Sequence, residues 1–149
     1  MTRIRGEVTI ARPVDVVFDF VADERNEPSF NPDLLRSELL TDGPIGIGTR
    51  FLAVHKGRRR PVEMTIEETD YDRPRRMGST TATPAGTVRG GLTFEPVEGG
   101  TRMRWQWEMR PTGAARLLGP LVGVVGNRQE RACWEGLKRY LEQVPEPSR

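Results

Sequence analysis

The chain has 149 residues, 30% of them charged and 36% hydrophobic, and a formal net charge of only +2. That length suits one domain with a sizeable core, and so small a net charge keeps the isoelectric point near 9.1 from being a nucleic-acid signature. One cysteine excludes an internal disulfide and points to a reducing, cytoplasmic setting.

No window approaches the roughly 20 apolar residues of a membrane span. The opening MTRIRGEVTI lacks the apolar run of a signal peptide. Residues 1–145 are expected to form the domain and residues 146–149 a loose tail.

Ile4, Val8 and Ile10 alternate with Arg5, Glu7 and Thr9, which predicts a first strand with one apolar face. Pro13 opens a short helix to about Ala22, with Val14, Val17, Phe18 and Val21 at helical spacing and Asp15 in the first turn, where the helix dipole favours a negative charge. The stretch 23–32 holds Pro28, Asn31 and Pro32 and predicts a broken helix or turn. Strands are then expected at 37–41, 50–56, 61–71, 77–83, 87–96 and 101–110, separated by turn residues such as Asp42-Gly43-Pro44 and Glu98-Gly99-Gly100. Short turns between strands imply antiparallel pairing.

A long helical region follows at 114–144, with Pro120 either kinking it or marking its start. Its apolar stripe is read as Leu118, Val122, Val125, Ala132, Cys133, Leu137, Tyr140 and Val144. Such a stripe needs a broad partner, and only a sheet is broad enough. The predicted class is α+β: a curved antiparallel sheet gripping a C-terminal helix, with a cavity between them.

Several stretches are similar to the START/Bet v1-like superfamily in its polyketide cyclase/dehydrase branch. They are VTIARPVDVVFDFVADERNEPSFNPDLL, Gly46-x-Gly48-Thr49-Arg50-Phe51, Tyr71-Asp72-Arg73-Pro74-Arg75-Arg76, and Phe94-Glu95-Pro96 followed by Gly99-Gly100-Thr101-Arg102. Their order and spacing span essentially the whole chain. One departure is Ser29-Phe30, where many relatives place a tryptophan before Asn-Pro. The resemblance implies a helix-grip fold, with seven strands wrapped around the C-terminal helix over an apolar pocket. It carries no universal catalytic motif, so fold and function separate here.

On the last strand Met103, Trp105, Trp107 and Met109 alternate with Arg102, Arg104, Gln106 and Glu108, giving one large soft face. Indole and thioether surfaces suit a flat hydrophobic ligand, although the same residues would also fill a solid core. Phe51, Met64, Ile66, Val88, Leu92 and Phe94 extend that lining from the sheet. Leu118, Leu121, Val125, Gln129 and Cys133 are expected to close it from the helix. His55, the sole histidine, is a candidate general acid or base, against the plainer reading of a strand-end residue beside Lys56. Gln129 and Tyr140 are the other candidates for orienting a ligand carbonyl or moving a proton. Cys133 is read as a buried small hydrophobe.

Metal binding fails on ligand count, with one His, one Cys and no carboxylate cluster visible at ligand spacing. No cofactor is expected. The arginines at 58–60 and at 73, 75 and 76 read as solvated strand edges rather than phosphate sites. Three functions compete: a carrier or sensor for an aromatic or polycyclic molecule, a cyclase/dehydrase-type enzyme, and a protein-interaction module using the rim near 117–122. Monomer and homodimer both stay open.

Overall fold

A computed structural model describes residues 2–143 and, apart from residues 118–120, their side chains. The elements in order are β1 (Thr2–Ile10), α1 (Val14–Ala22), a 3-10 turn (Glu24–Ser29), β2 (Leu34–Leu39), β3 (Arg50–His55), β4 (Val62–Asp72), β5 (Arg76–Thr83), β6 (Gly86–Val97), β7 (Gly100–Pro111), a second 3-10 turn (Gly113–Leu118) and α2 (Gly119–Gln143). The strands form one antiparallel sheet in the order β1-β7-β6-β5-β4-β3-β2. Consecutive strands from β2 to β7 pair as hairpin neighbours, and β1 returns beside β7, opposite it from Thr2↔Met109 to Ile10↔Thr101. With α2 laid along β1 this is the helix-grip arrangement.

Local chemistry explains each element. In α1 the backbone at Pro13 has φ −59° and ψ 149°, extended up to the helix, and Asp15 sits in the first turn. The buried residues Val17, Phe18, Val21 and Ala22 then face the sheet. Phe18 meets Tyr71 and Phe94 edge-on, with ring centroids 5.3 and 5.1 Å away. The residues after Asp23 do not restart an α-helix. The Asp23 carboxylate accepts the Arg25 N–H at 3.1 Å and caps a single 3-10 turn that contains Pro28.

Two boundaries differ from the sequence reading. The second strand begins at Leu34, not Ser37, because Leu34 is buried with Phe51, Ala53 and Ile66 and pairs opposite His55. The C-terminal helical region is divided, with a 3-10 turn to Leu118 before α2 starts at Gly119, so Pro120 lies in the first turn of α2, where its missing N–H costs nothing. Val144 and the Leu118 side chain lie outside the described residues.

The core is centred on Ile10, Val17, Phe18, Met103 and Leu137, each fully buried; burial of a side chain of this kind contributes about 1.5–3 kcal/mol. The face α2 uses also departs from the expected stripe. Cys133, Trp134, Leu137 and Leu141 are buried, whereas Leu121, Val124 and Val125 are exposed and so is Ala132. The reason lies in two glycines. A side chain at Gly126 would approach Ile4 Cδ1 to 2.5 Å and one at Gly123 would approach Thr2 Cγ2 to 3.2 Å, so bare backbone is what rests on β1. Farther along, the Lys138 ammonium donates to the Thr9 carbonyl at 2.8 Å. The Glu142 carboxylate accepts the Ala11 N–H at 3.1 Å, fixing the last turns of α2 to the end of β1.

Candidate functional site

The inner face of the sheet follows the expected alternation. Met103 and Trp105 are buried, Trp107 and Met109 half-buried; Leu92 and Phe94 are buried and Val88 half-buried. Phe51 and Ile66 belong to a second buried cluster with half-buried Met64 at its edge. The sheet-side residues expected to line an interior therefore do share one face.

The helix-side residues divide. Cys133 is buried, but Leu121 and Val125 are 57% and 43% exposed, and Gln129 is exposed too. Tyr140 is half-buried, its ring stacked on Phe20 at 5.5 Å. His55 sits at the end of β3, where its Nδ1 accepts the Gly57 N–H at 3.2 Å, next to the Lys56–Asp33 ion pair of 2.8 Å.

What the sequence reading missed is a convergence of carboxyl groups. Glu24 and Glu27 from the first 3-10 turn hydrogen-bond to each other, and the charges of Glu68 on β4 and Glu130 on α2 act on Glu24. The Cys133 thiol donates to Glu27 Oε1 at 3.6 Å. Trp107 and Trp134 both donate their indole N–H to Glu130 Oε2, at 3.0 and 2.8 Å. Trp105 lies 6.4 Å from Trp134, centroid to centroid. Glu24, Glu27 and Glu130 thus gather with the indoles of Trp107 and Trp134 between the sheet, α2 and the short turn, and Glu68 is near enough for its charge to act on Glu24.

The electrostatics follow from burial. Desolvation raises Glu24 well above the ordinary glutamate range, with further upward pressure from the charges of Glu27 and Glu68. Burial likewise raises Glu27, against the pull of hydrogen bonds from Glu24, Cys133 and Asn31. It pushes Glu68 up to about 7. Glu130 also rises to about 7, through burial first, while the two indole hydrogen bonds work in the opposite direction. The Cys133 thiol is driven up by burial and by the Glu27 and Glu130 charges, so it stays protonated and is no nucleophile.

Two polar atoms in this interior have no hydrogen-bond partner, Glu68 Oε2 and Trp105 Nε1, although Glu68 is only 4% and Trp105 only 2% exposed. Among the described residues no group of three or more His, Cys, Asp or Glu side chains is placed to hold a metal ion. On the other face of the sheet an open groove of about 840 Å³ runs over Gly78 and Gly91 between Arg5, Glu7, Arg76, Arg89 and Arg104. The arginines at 58–60 are exposed, and Arg73 and Arg76 pair with Asp19 and Asp70, each at 2.7 Å.

The fold and this interior define a helix-grip protein of the START/Bet v1-like type. Residues 1–142 match the family described as polyketide cyclase / dehydrase and lipid transport, and the chain belongs to that family. No curated protein matches. Among solved structures, a START superfamily protein from Mycobacterium smegmatis superposes with a TM-score of 0.85 at 11% identity, covering 97% of this chain and 100% of the other. The Zhui aromatase/cyclase from Streptomyces sp. R1128 gives 0.81 at 16% identity, covering 95% and 93%. A protein from Thermus thermophilus gives 0.81 at 20%, covering 95% and 99%. Among the described residues no helix is long and apolar enough to cross a membrane.

Proposed function

We propose that the chain binds a largely apolar, aromatic or polycyclic small molecule between the inner face of the sheet and α2, as a carrier or sensor. One observation carries this reading. Glu24, Glu27 and Glu130 keep part of their surface accessible, yet burial dominates the behaviour of their carboxyl groups. Half-buried carboxyls set against the indoles of Trp107 and Trp134 offer a polar anchor at the end of an apolar face. Half-buried Met64, Val88, Trp107 and Met109 on the same inner face, with the uncovered α2 flank at Leu121, Val125 and Gln129, suit the mouth of a binding space.

The test is tryptophan fluorescence of the purified protein titrated with aromatic polyketides, quinones and fatty acids. Saturable quenching that is lost in Trp107→Phe supports the reading. No response from any of these classes overturns it and moves the inner face to filled core, leaving the interaction role of the exposed α2 rim as the better account.

A second reading, a cyclase/dehydrase-type enzyme, is favoured by Glu68 and Glu130 standing at about 7, where a carboxyl both gives and takes a proton near neutral pH. In an intramolecular aldol condensation one carboxylate would remove a proton from a carbon next to a carbonyl. A carboxylic acid would protonate the carbonyl under attack, and one water would leave in the dehydration. This assigns proton transfer to Glu68 and Glu130 before His55, Gln129 or Tyr140. A product lighter by one water, formed by the native protein and not by Glu68→Gln, would establish it.

A further inference from the structure

We propose that the molecule held in this interior carries a protonated amine, seated among Glu24, Glu27, Glu68 and Glu130 and beside the indoles of Trp107 and Trp134. This rests on the binding reading above and names the chemistry of the ligand.

The observation is a missing countercharge. Near the surface, Glu7, Asp23, Asp33, Asp70 and Glu142 are each pulled down by a hydrogen bond from a cation, respectively Arg104, Arg25, Lys56, Arg76 and Lys138. The chain has 23 lysines and arginines, so cations are not scarce. Yet among the described residues no ion pair involves Glu24, Glu27, Glu68 or Glu130, and no lysine or arginine acts on any of them. Buried carboxyls are costly to keep unless paired. Burial favours their protonated form, and a cation supplied from outside would take the place of those protons.

A second, independent feature points the same way. Glu68 Oε2 is fully buried with nothing to bond to, while Glu68 lies 4% exposed on the inner face of β4, where its charge acts on Glu24. An unpartnered acceptor there awaits a donor. A metal ion would need three or more well-placed ligands, and none of the described side chains form such a group. An ammonium needs only acceptors on several sides. Trp107 and Trp134 both donate their N–H groups to Glu130 Oε2 and hold that carboxyl in place, leaving its other oxygen to meet a donor.

Three probes sharing one apolar body, naphthylmethylamine, naphthylmethanol and naphthoate, separate the possibilities by calorimetric titration. The amine is expected to bind at least ~10-fold more tightly than the alcohol, as one well-formed charge-assisted contact would give, and naphthoate more weakly than both. Glu68→Gln should bring amine and alcohol to within about 2-fold of each other, a ratio that a general loss of affinity would not change. Glu130→Gln, which keeps an acceptor for the indoles, is the second variant should Glu68→Gln fail to fold. Alcohol or naphthoate binding as well as the amine overturns the amine assignment and leaves the binding reading standing. If none of the three binds, and polyketides, quinones and fatty acids do not either, both fall together.

Discussion

Gly6 of β1 and Trp105 of β7 stand opposite each other in the sheet, and the indole of Trp105 occupies the space a side chain at position 6 would fill. A Cβ built on Gly6 overlaps the Cζ2 and Cε2 atoms of that ring. Gly6→Ala should therefore displace Trp105 and cost about 1–3 kcal/mol of stability, as overpacking does. Chemical denaturation and tryptophan emission would show it. In a Trp105→Leu background the same alanine should cost far less, a coupling that a double-mutant cycle measures.

The interior acids give stability an unusual pH dependence. Glu68 and Glu130 hold protons up to about 7 in the folded chain against 4.5 for an ordinary glutamate. The folded state thus binds more protons than the unfolded state between those values, so stability falls as pH rises from about 5 to 7 and levels off above. The loss approaches about 3 kcal/mol for each group taken alone. Urea midpoints at pH 5 and pH 8 check this: the ligand-free protein should be the more stable at pH 5. Glu68→Gln should raise the midpoint at pH 8 and leave the one at pH 5 nearly unmoved.

Gly136 supplies a third test. A Cβ there would come within 2.6 Å of the Phe30 carbonyl oxygen, which follows the turn bearing Glu24 and Glu27. Gly136→Ala should push that turn off α2. Hydrogen exchange would register the change as faster exchange at residues 24–31, with the β5–β7 amides still protected.

Not every close ion pair matters. Asp19 and Arg73 meet through two hydrogen bonds of 2.7 Å, but both side chains are about half exposed, at 51% and 50%. Asp19→Asn should change the urea midpoint by no more than about 1 kcal/mol of stability, and less in high salt.

The strands were legible because their signal is local: period-2 alternation bounded by turn residues recovers six of the seven strands nearly to the residue, and the Met103 to Met109 face with them. The contact face of α2 was not. A hydrophobic stripe assumes that side chains make the contact, and here Gly123 and Gly126 do, which rotates Val125 and Ala132 outward. The carboxyl cluster was hidden for a different reason. Glu24, Glu27, Glu68 and Glu130 come from three elements far apart in the chain, and no spacing in the sequence brings them together. Only Glu68 left a trace, since it shares parity with Met64 and Ile66 and so had to face inward unless the strand was broken. The strand does shift register, but just beyond it, between Glu68 and Asp70.

β2 has one further consequence. It is the sheet's outermost strand on the side away from α2, only six residues long, with a register shift between Leu34 and Arg36 and an exposed Arg36–Glu38 pair at 3.2 Å. The first 3-10 turn packs against it, while α2 rests on β1 at the other edge. A foreign strand seeking to extend the sheet would meet charge and irregular backbone at one border and a helix at the other. The turn that brings Glu24 and Glu27 inward is therefore also a guard against self-association, and loosening it should make the protein stickier as well as emptier.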